Sequence, residues 1–241
     1  AKIPFVLPAE SELAPRMDAV LEAVYGAYAL GWMESGHDLS EEAHFLASLL
    51  VRHRPHEPEA LGLYALLCLA RAREPARFNE AGAVVPPEEQ DTLRWDETLL
   101  RAGTAALDQA STFERPGRFQ LEAAIQVVHA DRRNTKITDW KGIVQLYQGV
   151  LHFRPSLGAV VAHATAVGRA FGPQAGLRAL EEVTKIENAQ RFAPYWAALA
   201  HLTQESGNTE EALSHLDRAL SLTTQSSLRN ALEGYRASWL S

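Results

Sequence analysis

Four carboxylates crowd one short stretch of this chain: Glu88, Glu89, Asp91 and Asp96 gather around Trp95, just after Pro86 and Pro87. Paired carboxylates serve general acid–base catalysis when two of them face one pocket with their pKa values pushed apart. The spacing here points elsewhere. Glu88, Glu89 and Asp91 fall where a new helix would begin after the prolines, at the end of the helix dipole that favours negative charge. Gln90, Asp91 and Arg94 are then expected to tie the loop to neighbouring helices, with Trp95 and Leu99 four residues apart on one helical face. A catalytic site needs further polar groups converging on a pocket, and the sequence suggests none. A docking or loop-fixing role is the expectation.

The other candidate constellations are weaker. His53 and His56 form an HxxH pair, but Pro55 breaks the helix that would align them, and no third ligand is suggested. His129, His152, His163, His201 and His215 are scattered along helical stretches. No Ser/His/Asp order, glycine-rich phosphate loop or HExxH motif occurs, so no catalytic residue, cofactor or metal is expected and the chain reads as a non-enzyme. Arg71, Arg73 and Arg77 precede the acidic stretch, and Arg132, Arg133 and Lys136 form a second basic group. Neither is interleaved with aromatics, so both read as solvated helix ends, or as partners for the acids of 88–96. A net charge of −7 argues against this chain holding a nucleic-acid backbone. Cys68 is the single cysteine, which excludes an internal disulfide. No apolar run reaches the ~20 residues that cross a bilayer, and the start AKIPFVLPAES lacks a signal-peptide layout, so a cytoplasmic protein without membrane contact is expected. The alanine at position 1 suggests a processed or truncated chain.

The elements that would position these residues are all helical. Leu13, Met17, Val20, Leu21, Val24, Tyr28 and Trp32 recur at helical spacing from Ser11 to Met33, with Gly36 and Asp38 ending that helix and Ser40 capping the next. A second helix runs to His53, and a third, leucine-rich one follows Pro58. A helix from the acidic stretch to Ala110 is expected next, then Arg118–Ala130 and Asp139–Phe153 with Thr138 as N-cap. Further helices should follow Pro155-Ser156, run from Gly172-Pro173 to Ile186, and cover 192–205, 209–222 and 226–240. Residues 1–9, with Pro4 and Pro8, read as a linker or strap. The remainder divides into an N-terminal helical portion, 10–111, and a repeat portion, 112–241, within one continuous domain.

A period near 34 residues organises this series. With Ala193 as position 1 of a tetratricopeptide unit, Trp196 falls at position 4, Leu199 at 7, Ala200 at 8, Gly207 at 15, Ala212 at 20 and Ala219 at 27. Small residues at 8, 20 and 27 let paired helices approach closely. A second unit spans Val24 to Glu57, with Gly31 at 8, Ala43 at 20 and Pro55 at 32. A fainter one places Ile143, Tyr147, Val150 and Pro155 at 20, 24, 27 and 32. The predicted fold is all-α, an α-solenoid of stacked tetratricopeptide-like hairpins with one irregular loop near residues 74–92.

Taken together, IPFVLP, the stretch LSEEAHFLASLLVRHRPHEPEALGLYALLCLARAR, then EEQDTLRWD, GRFQLEAAIQVVHA, TDW, LY, PS and GPQAGL occur in an order that resembles a known family. That family is the C-terminal tetratricopeptide-like extension of extracytoplasmic-function RNA polymerase sigma factors. EEQDTLRWD resembles the family signature written around LEDQDRSRWD, matching at Glu88, Gln90, Asp91, Arg94, Trp95 and Asp96. Pro86-Pro87, Glu89 and Thr92-Leu93 depart from it, and LGAVVAHATAV lacks the Asn-Arg the family tends to have there. The resemblance implies a regulatory extension acting in transcription initiation. Its implied partners are the sigma promoter-binding domains in cis, core RNA polymerase or a regulatory protein. Nothing in the chain resembles the promoter-binding domains themselves. The alternative from the repeat alone is a free-standing tetratricopeptide adaptor that binds a peptide or protein.

Overall fold

Helix ends fall where proline, asparagine and aspartate put them. Pro58 opens α3 (Pro58–Arg71) at a position where a helix lacks an N–H partner anyway, and Pro173 opens α8 (Pro173–Val183) the same way. Asp139 caps α6 (Trp140–Phe153) by accepting from Gly142 N–H, Ser156 caps α7 (Leu157–Phe171), and Asn208 caps α10 (Thr209–Leu222). The structure, a computed structural model, describes residues 10–33 and 37–241. The other helices among them are α1 (Glu10–Met33), α2 (His37–His53), α4 (Glu97–Ser111), α5 (Arg118–Thr135), α9 (Ala193–Glu205) and α11 (Ser226–Leu240). Three short 3-10 turns, Glu74–Ala76, Thr92–Arg94 and Ala189–Arg191, complete the set. The sole β pairing among the described residues is an isolated antiparallel bridge between Phe78 and Val84. The expected strap over residues 1–9 and the helix end at Gly36 lie outside the described residues.

Each helix packs on its neighbours in sequence: α1 on α2, α5 on α6, α7 on α8, α9 on α10, while α3 packs on both α4 and α5. The core follows suit as a chain of four clusters. The largest joins α1 to α5 around Leu21, Leu61, Leu63 and Leu67. The next joins α5 to α7 around Ile125 and Ile143, then α7 to α9 around Leu180 and Tyr195, then α9 to α11 around Leu216 and Leu232. This is an all-α helical-repeat fold, in which each unit buries its apolar face only against adjacent units.

Small residues mark the closest approaches. Ala200, Ala212 and Ala219 are fully buried between α9, α10 and α11, at the positions the repeat reserves for them. A Cβ on Gly31 would lie 2.6 Å from the Ser40 amide nitrogen, so α1 and α2 meet backbone to backbone there.

Several local expectations are corrected. The helix expected to begin in the acidic stretch begins at Glu97, because Asp96, not Glu88 or Glu89, supplies the cap: its Oδ1 accepts from Thr98 and Leu99 N–H. Trp95 is therefore extended and shares no helical face with Leu99. Asp139 rather than Thr138 caps α6, and α5 runs on to Thr135, closed by Lys136 in the left-handed conformation. Ser40 sits inside α2 rather than before it, and α8 ends at Val183, short of Ile186.

Candidate functional site: the crossover loop between α3 and α4

Between Arg71 and Glu97 the chain leaves the repeat and crosses the stack, anchored at four places. The first anchor is aromatic. Arg77 donates to the Trp32 carbonyl (2.6 Å), and its guanidinium lies 3.7 Å from the Trp32 ring centroid. The second is an asparagine turn: Asn79 Oδ1 accepts from the Ala81 and Ala83 N–H groups at 3.0 and 2.9 Å. That turn presents Val84 N–H to the Ser227 carbonyl (3.2 Å), while Asn230 Nδ2 donates to the Ala81 carbonyl (3.2 Å). The loop thus reaches the N-terminal end of α11.

The third anchor lies inside the signature. The Trp95 indole N–H donates to Gln90 Oε1 (3.1 Å), and Gln90 Nε2 donates to the Val85 carbonyl (2.9 Å). Arg132 of α5 donates to the Pro87 and Gln90 carbonyls (2.9 and 2.7 Å) and stands 5.7 Å from the Trp95 ring centroid. Trp95 is only 4% exposed and Gln90 is buried with it, and each side-chain polar group of the pair has a partner. The fourth anchor is ionic: Glu88 pairs with Arg169 of α7 (3.6 Å), which also pairs with Glu205 of α9 (2.6 Å).

The six signature residues therefore part company by task. Gln90 and Trp95 form the buried lock, Asp96 caps α4, and Asp91 Oδ1 accepts from Leu93 N–H to hold the turn at 92–94 (3.0 Å). Glu88 bridges to α7. Arg94 points to solvent and makes no ion pair with a described residue, beside Leu93, which is 84% exposed. The expected ties from Asp91 and Arg94 to neighbouring helices are not made; Arg132 makes them from the other side. Nor do Arg71, Arg73 and Arg77 pair with the 88–96 acids: Arg71 meets Glu41 and Glu74, and Arg73 donates to Gln126 Oε1. Arg133 pairs with Glu97 (3.7 Å), and Lys136 donates to the Arg133 carbonyl. Glu88 and Glu89 share the rim of one cleft with Arg169, His201 and Glu205, whereas Asp91 and Asp96 are spent on backbone N–H groups, so the four acids do not all meet in one pocket.

Beneath Pro86, Pro87 and Glu88 lies a largely apolar cavity of about 420 Å³ bounded by α6, α7, α9 and α11. His129 and His201 line it, and burial first, then nearby guanidinium groups, lowers each imidazole to about 4. Both are neutral near pH 7. His56 rests edge-on against Phe113, and His53 is exposed. Sequence reasoning had singled out Arg132 only as one of a basic group and gave no role to Asn79 or Arg169. The Arg132 partner Gln90 lies 42 residues away and the Arg169 partner Glu88 lies in the loop itself, whereas Asn79 acts locally, on Ala81 and Ala83.

Residues 16–111, from α1 to α4 and including the whole loop, are similar to a family of unknown function, DUF6596. An uncharacterized protein of Rhizobium meliloti (strain 1021) is 35% identical over 233 residues, which cover 94% of this chain and 55% of that relative. The chain spans about half the length of the curated relative it matches. Among the described residues no helix is long and apolar enough to cross a membrane.

Proposed function

We propose that the chain is a non-catalytic regulatory domain of an extracytoplasmic-function sigma factor, acting in cis on its promoter-binding domains or on core RNA polymerase. The observation that carries the reading is how the signature loop is held. Gln90, Trp95, Asp91 and Asp96 are committed to fixing it, and what they present outward is Leu93 and Arg94, an exposed apolar side chain beside an exposed cation. A rigidly held tip of this kind suits a docking contact, because its ordering entropy is already spent on folding. The longer Rhizobium relative is in keeping with a helical unit carried on a larger protein.

The test is a pull-down of this chain against purified sigma promoter-binding domains and core polymerase, with Arg94→Ala and Leu93→Ser alongside. Retention of one component by the wild-type chain, lost in both surface variants while their unfolding is unchanged, is the expected result. Binding to neither component would favour the free-standing adaptor. That second reading draws on the α9–α10 hairpin, but the chain's own Pro86–Glu88 segment already lies over the apolar cavity of the stack.

A further inference from the structure

A second cleft, of about 460 Å³, opens between α1, α3, α5, α6 and α7, away from the Leu93–Arg94 tip. Arg73 lines it, although the residue is only 8% exposed. A buried guanidinium is costly unless a counter-charge meets it. The hydrogen bond Arg73 does make goes to a neutral group, Gln126 Oε1; its Nε has no partner, and no ion pair joins it to a described carboxylate. Glu88, the acid whose charge bears most on it, is engaged with Arg169.

The Tyr28 hydroxyl also lines this cleft and is likewise buried without a partner. Burial, and then Glu74, pushes its pKa up, so it remains a neutral O–H donor. Tyr147, raised to about 12 by burial first, is neutral as well. At the far side of the cleft the charges cancel. Arg118 pairs with Glu122 at 2.7 Å, and Glu22, outside the lining, is shared between Arg118 at 2.6 Å and Arg154 at 2.9 Å, so two guanidinium groups offset two acids and the cleft keeps the positive charge of Arg73. Tyr25 and Trp32 supply flat apolar walls.

We propose that this cleft binds a small organic monocarboxylate with an aromatic or apolar body, its carboxylate received by the Arg73 guanidinium and the Tyr28 hydroxyl. The guanidinium fork suits a carboxylate's two oxygens. A volume near 460 Å³ holds a ligand of modest size. A dianion is disfavoured, since Glu122 stands in the same cleft and only one positive charge is free of an acid. The site is independent of the sigma-factor reading, and either can fail without the other.

The experiment is calorimetric titration of the full chain with benzoate and 3-phenylpropionate, against the neutral isostere 3-phenylpropan-1-ol and inorganic phosphate. Saturable binding of one carboxylate, absent for the alcohol, is expected. Arg73→Gln should weaken it by about tenfold or more, and Tyr28→Phe by less, while the unliganded Arg73→Gln chain melts no lower than wild type. A residue kept for binding rather than stability behaves that way, because the variant removes an unpaired buried charge. Arg73→Lys keeps the charge without the fork, so it should also bind more weakly if Arg73→Gln does not fold. Failure of both carboxylates to saturate overturns the proposal. So does unchanged binding in the Arg73 variants, or preference for inorganic phosphate.

Discussion

Replacing Trp95 by alanine removes a buried ring and also the donor that Gln90 accepts from, so two costs add at one position. The expected loss is about 3–5 kcal/mol, read from urea unfolding. Trp95→Phe, which keeps much of the ring but leaves Gln90 Oε1 unpaired, should lose about 1–3 kcal/mol. A Trp95→Ala chain as stable as wild type would mean that the ring packs against nothing. The histidines give a prediction with a defined sign. His129 and His201 have folded pKa values near 4, below the ordinary 6.5. The unfolded chain therefore binds more protons between pH 6.5 and 4. Stability should be fully present above pH 6.5 and fall as pH drops through that window. His129→Gln should flatten part of that acid limb, followed by melting temperature against pH. An unaltered slope would place the titrating groups elsewhere.

At the scale of helices, the sequence was legible wherever local chemistry decides the outcome. Proline at the first turn of α3 and α8, the alanines of α9 and α10, and the glycine turns at Gly172 and Gly207 all act within a few residues of where they stand. The start of α4 was misread for a physical reason. Two prolines followed by acids look like a helix N-terminus, yet the chain makes a single turn there, Gln90 N–H donating to the Pro86 carbonyl, before the Gln90–Trp95 lock and its Arg132 partner divert it, and the cap passes to Asp96. Tertiary contacts from α5 overrode a sound local signal. Asp96→Ala should accordingly cost about 1 kcal/mol, the usual value of an N-cap, whereas Glu89→Ala should cost almost nothing. The Arg73 cleft was unreadable because its walls come from five helices. Where α7 and α8 touch, a Cβ on Gly176 would lie 2.8 Å from the Gly168 Cα, so Gly176→Ala must push the helices apart and should cost about 1–3 kcal/mol.

Across the whole molecule, the crossover loop ties together helices that are not neighbours in the stack. That loop joins Trp32 of α1, Arg132 of α5, Arg169 of α7 and Ser227 of α11, so units far apart in the stack are held by one segment. Asn79→Ala, which releases the turn carrying Ala81 and Val84, should speed amide hydrogen exchange in α11 by roughly fivefold, equivalent to one lost hydrogen bond. Exchange in α3 should not change. Equal protection of α11 in both chains would show that α10 alone secures it.

The same span has a consequence for how the protein is made. Asn230 closes on Ala81 across 149 residues, so the turn at Asn79 leaves the ribosome well before its partner exists. At about 5–20 residues per second, that wait is roughly 7–30 seconds. The early helix pairs have time to form from near-neighbour contacts, and the later arrival of α11 fastens the segment they left open. Synthesis of α11, rather than formation of any earlier hairpin, is then the event that seats the loop.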